Sequence, residues 1–261
     1  MKYPFTPELL DSLPEELAEL YRSLELKLLD EICSRLKIAG DLNEVTVQDI
    51  RALRSHGIDL SEIEKAIQRT ANISRKELDK LLDEVVERNQ RYYTDLIDLA
   101  GVTQPETMVS SADINAILSQ AQREVGNLTR SMGFLLDNGR TMLPYARAYQ
   151  WALDSAEMQI MSGAISYNQA IKSAVKQLAD SGLRMVDYES GHRDHIDVAA
   201  RRAVMTGVSQ LCQKYAEQSM EYLNTNLVEV SAHIGARDVD GPMGWENHKK
   251  WQGKIFKWDK K

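Results

Sequence analysis

Histidine and aspartate side chains gather in one polar stretch of this 261-residue chain, and they are the residues best suited to chemistry. His192, Asp194 and His195 lie close together, and His233 or His248 follows further along. Imidazole and carboxylate groups together suit zinc or a similar cation, which with an open coordination position would support a hydrolase or nuclease. No standard ligand spacing such as His-Glu-x-x-His is present. A solvated polar loop is the favoured interpretation, and the metal-dependent enzyme remains an alternative.

Lysine and aromatic side chains alternate near the end of the chain. Such a surface could grip a DNA backbone by charge and stacking. It could equally be a solvated tail in which Trp251 and Phe256 pack on the core, and packing is favoured for Trp251. The lysines that would contact DNA are Lys249, Lys250, Lys254 and Lys257.

Asp197 stands at the predicted start of a long helix. A carboxylate there caps free backbone N–H groups and complements the helix dipole, which favours a structural role over acid–base catalysis. Arg201 follows at the i,i+4 spacing and is expected to reach back to Asp197. Gly207 lies inside the same helix, where a glycine indicates close approach of another segment. No phosphate loop, nucleophile elbow or dinucleotide fingerprint is found, so no cofactor is expected.

The last 75 residues or so carry an ordered succession of short motifs: Tyr-x-Ser-Gly-basic, Ile-Asp, an Arg-bearing helix, Val-Glu-Val-Ser-x-His, Gly-Ala-Arg and Trp-Gln-Gly-Lys. This succession resembles the phage minor capsid protein 2 family, which is related to the Mu protein F-like head morphogenesis proteins. The matching positions are Tyr188, Ser190, Gly191, Arg193, Ile196, Asp197, Arg201, Val228, Glu229, Val230, Ser231, His233, Gly235, Ala236, Arg237, Trp251, Gln252, Gly253 and Lys254.

The resemblance implies a non-enzymatic structural virion protein of a bacteriophage or prophage that takes part in head morphogenesis. Its expected place is the head interior or the portal vertex, after assembly in the host cytoplasm. The implied partners are portal, capsid or scaffold proteins, with packaged DNA and a second copy of the chain as further candidates. Some relatives continue into a Cys/His-containing tail or a toxin-like domain. A second alternative is therefore the delivery module of a prophage polymorphic toxin.

Composition narrows the function classes. The formal net charge is −7, and all of it falls in the first 100 residues, which are therefore poorly suited to coating DNA. No apolar run approaches the length of a membrane span, and the N-terminus does not resemble a cleaved signal. The two cysteines, Cys33 and Cys212, fall in apolar helical patterns and are expected to be free thiols in a reducing cytoplasm.

Helix signals dominate the first 180 residues. Thr6-Pro7 predicts a capped helix start, and a second helix is predicted to run to about residue 37. Two short helices are predicted over 46–55 and 61–71. Ser74 and Glu77 form a capping-box pattern that predicts a new helix to Gly101. Further helices are predicted over about 112–127, 144–161 and 166–182. The glycines over 127–140 predict a loop or broken helix and make that segment a candidate hinge.

The helix predicted after Ser74 has an apolar repeat with Asn89 in one slot. It fits either an intermolecular coiled-coil seam or the core of the protein's own bundle. Additional apolar residues widen the stripe and favour the bundle core. The repeat comprises Leu78, Leu82, Val85, Tyr92, Leu96 and Leu99, and the widening residues are Leu81, Val86, Tyr93 and Ile97.

Extended runs over 183–188 and 227–232 flank a long helix predicted over about 197–224. The predicted fold class is mainly α, an N-terminal helical bundle with a small C-terminal α+β module. The predicted regions are an acidic helical region over 1–103, a middle helical region over 104–182, and the α+β module over 183–261.

Overall fold

The structure is a computed structural model that describes residues 3–37, 61–103, 105, 107–136, 141–162, 167–186, 193–230, 238 and 247–258. The chain divides into two units, each of which joins segments that are distant in sequence. The predicted boundaries near residues 103 and 182 divide the chain by sequence alone and stay predictions. The hairpin unit comprises Met1–Glu15, Glu77–Arg123 and Arg202–Lys261, and the sheet unit comprises Glu16–Lys76 and Glu124–Arg201.

Helices make up most of the described chain, which confirms the mainly α class with a small strand-containing part. The helices are α1 (Pro7–Ser12), α2 (Glu15–Lys37), α3 (Ser61–Leu99), α4 (Ser111–Arg130), α5 (Tyr145–Met161), α6 (Tyr167–Ser181), α7 (Ile196–Tyr222) and a short 3-10 helix (His248–Trp251). The strands are β1 (Met132–Leu136), β2 (Thr141–Leu143), β3 (Leu183–Val186), β4 (Arg193–His195), β5 (Leu227–Glu229) and β6 (Ile255–Lys257).

Local signals placed several helix ends correctly. The Leu9 N–H donates to Thr6 Oγ1 at 3.3 Å, and Pro7 follows as the first helical residue of α1. The predictions for α2, α5, α6 and α7 agree with the observed bounds to within a few residues. The helix predicted over 46–55 lies outside the described residues.

Ser74 does not begin a helix, and the predicted capping box is wrong. It lies fully buried inside α3, where its hydroxyl donates to the Thr70 carbonyl oxygen at 2.7 Å. A serine that bonds back to residue i−4 can remain within a helix. Apolar positions such as Ile63 and Leu78 are buried on either side of it. Burial of these side chains outweighs the local preference for a helix start.

The C-terminal part of α3 carries its apolar stripe into the core of the hairpin unit. Leu78, Leu82, Val85 and Asn89 are fully buried, whereas Leu99 is 76% exposed. Beyond Asn89 the buried positions shift to Tyr93 and Ile97, which the narrow repeat does not include. The wide stripe is therefore bundle core, as the favoured interpretation states.

The sheet unit contains a four-stranded antiparallel sheet in the order β2-β1-β3-β4. Fully buried Phe134 on β1 lies opposite Leu143 and Leu183 of the neighbouring strands. Gly133 is required beside it, since a Cβ there would lie 2.6 Å from the Leu143 carbonyl oxygen. The loop or broken helix predicted over 127–140 is wrong where α4 extends to Arg130 and β1 follows.

Small residues let the helices of the sheet unit approach closely. Ala148, Ala152 and Ala156 recur every four residues on α5 and are fully buried. They join Ala170 and Ala174 of α6 in the hydrophobic core of this unit. Alanine at such positions leaves the backbones close together without a void.

The hairpin unit is named after the antiparallel pair β5–β6, and its helices also pack closely. A Cβ on Gly207 of α7 would lie 3.3 Å from the Ala121 Cβ and 3.4 Å from Leu82 Cδ2. The predicted close approach is thus confirmed, with side chains of α4 and α3 as the neighbours. None of the helices in the described part of the chain has the length and apolarity needed to cross a membrane.

Candidate functional site

The residues that carry the family motifs fall in both units. Arg193 and Asp197 belong to the sheet unit, whereas Glu229 and the Trp251–Lys254 run belong to the hairpin unit. Motif residues outside the described part of the chain are Tyr188, Ser190, Gly191, Ser231, His233, Gly235, Ala236 and Arg237. Each unit therefore contains some of the described motif residues.

Asp197 anchors a charged cluster in the sheet unit. It lies in the first turn of α7, where a carboxylate complements the helix dipole as predicted. Its Oδ2 accepts a hydrogen bond from Arg22 Nε of α2 at 3.1 Å, and Arg22 also contacts Glu19 at 3.0 Å. The partner shown for Asp197 is thus a residue of another helix, and the contact expected with Arg201 stays a prediction. This ion pair joins the middle of α2 to the start of α7.

Glu25 extends the same cluster by one turn of α2. Burial is the main cause that raises the pKa of its carboxyl group, and the Leu183 backbone N–H, His195 and Arg184 partly oppose this shift. Arg184 in turn contacts His195 Nε2 at 2.9 Å and donates to the Ser181 and Arg193 carbonyl oxygens. The polar groups are held by neighbours within the unit, which is the arrangement of a structural ion-pair network.

Gly182 brings the cluster together at the turn between α6 and β3. Its φ of +66° is one that side-chain-bearing residues rarely adopt, and a Cβ would lie 2.6 Å from His195 Cε1 and 2.7 Å from Nδ1. The imidazole therefore fills the space that a side chain at position 182 would need. The turn and the position of His195 depend on each other.

The predicted metal ligands are not assembled into one site in the described structure. Asp194 and His195 are consecutive residues of β4, and consecutive side chains of a strand point to opposite faces of the sheet. His192 and His233 lie outside the described residues. Among the residues that are described, no group of three or more His, Cys, Asp or Glu side chains is arranged to hold a metal ion.

The stretch that the sequence suggests for DNA contact forms the 3-10 helix and β6. Trp251 packs against Phe256 with ring centroids 5.1 Å apart, but it remains 39% exposed, so its packing is local to the hairpin. Lys249 contacts Asp238 at 2.8 Å, and this hydrogen bond is the main cause that lowers the pKa of Asp238. Lys250, Lys254 and Lys257 are exposed around the same hairpin.

A groove of about 700 Å³ lies between the end of α7 and the hairpin. Exposed apolar side chains of Leu227 and Trp258 line it on one side, and Glu217 and Glu221 of α7 line the other. No sequence motif marks this groove, because its walls come from a helix and two strands whose pairing is set by the fold. The remaining lining residues are Met220, Asn224, Thr225, Asn226 and Lys257.

A cluster of buried and half-buried tyrosines in the hairpin unit is a further polar feature that the motifs do not reveal. Tyr3, Tyr92, Tyr93 and Tyr215 form a chain of ring contacts with centroids 4.9 to 6.3 Å apart. Burial is the main cause that raises the pKa of Tyr3 and Tyr93. The Tyr92-Tyr93 pair within the apolar stripe of α3 is the sequence signal that could have located it.

Asn89 and Cys212 form the polar centre beside these rings. Asn89 Nδ2 donates to the Val85 carbonyl oxygen at 2.8 Å and to Cys212 Sγ at 3.5 Å. Burial raises the pKa of the Cys212 thiol, which is also hydrogen-bonded to Tyr3. Cys212 and Cys33 are both free thiols. A half-buried thiol whose pKa is raised is a structural group rather than a nucleophile.

The fold and both sites define a mainly helical protein whose polar clusters serve to hold helices and strands together. The family model for phage minor capsid protein 2 matches residues 5–261, nearly the whole chain, and the protein belongs to that family. Membership supports a structural role in a phage particle, a location in the virion and interaction with other phage head proteins. No curated protein and no solved structure matches the chain significantly.

Proposed function

We propose that this protein is a non-enzymatic component of the phage head that binds other head proteins at the head interior or the portal vertex. The observation that carries the proposal is the family match over residues 5–261, which includes both the helices and the C-terminal motifs. A protein that acts by binding needs exposed surface with apolar character. The helices of the sheet unit provide such a surface.

The C-terminal end of α5 presents two exposed methionines. Met158 is 72% exposed and Met161 is 63% exposed, and their i,i+3 spacing places them on the same face of the helix. Large apolar side chains with this exposure are typical of contact surfaces, and the flexible thioether adapts to the shape of a partner. We assign the contact with a neighbouring head protein to this methionine face, defined by Met158 and Met161.

Size-exclusion chromatography with light scattering tests the proposal. The chain is analysed alone and mixed with the portal protein of the same phage, at concentrations well above about 1 µM. A co-eluting complex of defined stoichiometry is the expected result. Separate elution of the two proteins at these concentrations contradicts binding at the portal vertex.

Two variants separate the methionine face from a general charge effect. Met158→Glu combined with Met161→Glu should weaken the complex by about tenfold or more, since apolar contact is replaced by solvated charge. Lys176→Glu on α6 changes the net charge by the same amount in the same unit. Lys176 is exposed and pairs with Asp180. Lys176→Glu should leave co-elution unchanged. An equal loss of affinity in the methionine double variant and in Lys176→Glu would show that the methionine face is not part of the interface.

A further inference from the structure

The first part of α3 carries a local excess of positive charge. Residues 65–76 contain four basic residues, Lys65, Arg69, Arg75 and Lys76, and no aspartate or glutamate. All four are exposed, and all belong to the sheet unit. These four side chains form the basic face of α3. The net charge of −7 over the first 100 residues is an average over several helices, so it does not describe the surface that this segment presents.

Helix periodicity aligns three of these cations. Lys65, Arg69 and Lys76 are separated by four and seven residues, and both spacings return to the same side of an α-helix. Exposed Asn72 falls between Arg69 and Lys76 on the same side. With a rise of about 1.5 Å per residue, the line from Lys65 to Lys76 is about 16 Å long. The cations and the amide therefore form one stripe along the helix.

Arg75 extends the positive surface towards α4. A Cβ on Gly126 would lie 4.0 Å from Arg75 Nη2, so the guanidinium lies against α4 at that position. Both residues belong to the sheet unit. The basic face therefore covers the outer side of α3 and reaches the neighbouring helix.

Acidic residues lie at the two ends of the basic face rather than within it. Glu62 and Glu64 precede it, and Glu77 follows it. Glu62 contacts Lys65 at 2.8 Å, and Glu77 contacts Lys80 at 3.8 Å. The charge of Lys65 is therefore partly offset by its own neighbour.

The other three cations are not neutralised in this way. Among the described residues, no carboxylate forms an ion pair with Arg69, Arg75 or Lys76. Exposed cations without a carboxylate partner attract anionic ligands at full strength, and the attraction is screened only by salt. The basic face therefore offers three uncompensated charges to a partner.

A phosphate backbone is the partner that fits this surface best. A protein interface needs an apolar centre, and Ile73 is the one large apolar side chain exposed over residues 65–76. Arginine, lysine and amide side chains bind phosphate oxygens without burying apolar surface. The composition of the basic face therefore favours nucleic acid over an acidic protein.

The lysines of the β5–β6 hairpin are less well placed for the same ligand. Lys257 lines a groove together with Glu217 and Glu221. Lys249 contacts Asp238 at 2.8 Å. Carboxylates beside these lysines repel phosphate and offset the attraction. The basic face of α3 contains no carboxylate within its 12 residues, so it attracts phosphate more strongly.

We infer that the basic face of α3 binds the phosphate backbone of duplex DNA without reading its sequence. The inference rests on the proposed function, since a position in the phage head brings packaged DNA within reach. Contacts from Arg69, Arg75 and Lys76 would release about three counterions, so log K should fall with log salt at a slope of about −3. The Kd is expected on the order of 100 µM at about 0.1 M salt, and on the order of 1 µM at about 20 mM salt.

Fluorescence anisotropy with a labelled duplex, measured over about 20 to 150 mM salt, tests this site. Arg69→Gln and Lys76→Gln each remove one phosphate contact. Each should therefore reduce the salt slope by about 1 and raise the Kd on the order of tenfold at about 0.1 M salt. Glutamine is a good helix former, so far-UV circular dichroism should be unchanged.

Lys172→Gln is the matched control. Lys172 is an exposed residue of α6 in the same unit, and its substitution changes the net charge from −7 to −8, as Arg69→Gln does. It should leave the Kd and the salt slope unchanged. Equal losses in Lys172→Gln and Arg69→Gln, or no duplex binding at about 20 mM salt, would overturn the inference. A loss in Lys257→Gln without a loss in Arg69→Gln assigns DNA binding to the hairpin and also overturns it.

Polyglutamate distinguishes an acidic protein from DNA as the partner. Its lower charge density releases fewer counterions, so it should bind at least about tenfold more weakly than the duplex at the same salt concentration. Equal or tighter binding of polyglutamate that depends on Arg69 assigns the basic face to an acidic protein and overturns the inference. Arg69→Gln leaves the methionine face intact and should not change co-elution with the portal protein, so the two proposals can fail separately.

Discussion

Gly182→Ala is the substitution whose cost can best be worked out from the structure. A non-glycine residue at a φ near +66° costs about 1 to 2 kcal/mol. The new Cβ would also lie 2.6 Å from His195, so the imidazole must move and lose its 2.9 Å contact with Arg184. That loss adds about 1 kcal/mol. We expect Gly182→Ala to lower the free energy of unfolding by about 2 to 3 kcal/mol.

Gly101→Ala supplies the matched control. Gly101 follows α3 with a φ of +67°, and a Cβ there would meet no atom within 4 Å. Only the cost of the positive-φ backbone conformation applies, so the free energy of unfolding is expected to fall by about 1 to 2 kcal/mol. The difference between the two variants isolates the contact with His195.

Urea unfolding, followed by far-UV circular dichroism and tryptophan fluorescence, measures both losses. Trp151 packs against the core of the sheet unit and reports on the unit that contains Gly182. In a double-mutant cycle with His195→Ala, the alanine at position 182 should cost about 1 kcal/mol less when the imidazole is absent. The reasoning is refuted if Gly182→Ala costs no more than Gly101→Ala, or if His195→Ala leaves its cost unchanged.

Three further measurements test polar groups in the two units. The buried Asn89 Oδ1 has no hydrogen-bond partner among the described residues, so Asn89→Leu should be neutral or about 1 kcal/mol stabilising in urea unfolding. Asn89→Asp should instead cost about 3 kcal/mol or more at neutral pH, because it places an unpaired charge at the same buried position. Burial favours the protonated form of Glu25 in the folded state, so its contribution to stability is present at low pH. That contribution is lost as the pH rises from the ordinary value of 4.5 through the raised pKa. Glu25→Gln should therefore gain stability relative to wild type over that pH window, measured as a growing difference between the urea midpoints of the two proteins. In a Cys33→Ala background, the single thiol of Cys212 should react with a colorimetric disulfide reagent at least about tenfold more slowly than in urea, and fast reaction in the folded protein would contradict its burial.

Local sequence patterns predict much of the helical architecture. The Thr6-Pro7 cap, the amphipathic stripe of α3 and the long helix α7 depend on residues only a few positions apart, and the sequence predicts all of them. The extended runs at β3 and β5 are recognisable for the same reason. The succession of motifs was also sufficient to identify the family, which the match over 5–261 confirms.

Short strands are less predictable. β1 contains a glycine, and β4 consists of Arg193, Asp194 and His195, so neither has a strong local preference for a strand. Both form because β3 lies between them and pairs with each. At Ser74 the local pattern predicts a helix start, yet burial of the neighbouring apolar side chains continues α3 through it.

The sequence by itself determined the helical class, most helix ends and the family, because these depend on side chains that are neighbours along the chain. Only the tertiary structure decided what the polar residues contact. Asp197 meets Arg22 from 175 positions away, and Asn89 meets Cys212 from 123 positions away. The groove exists because the hairpin register and α7 place Leu227, Glu221 and Lys257 together. Such partners are selected by packing and charge across distant segments, and no periodicity in the sequence encodes them.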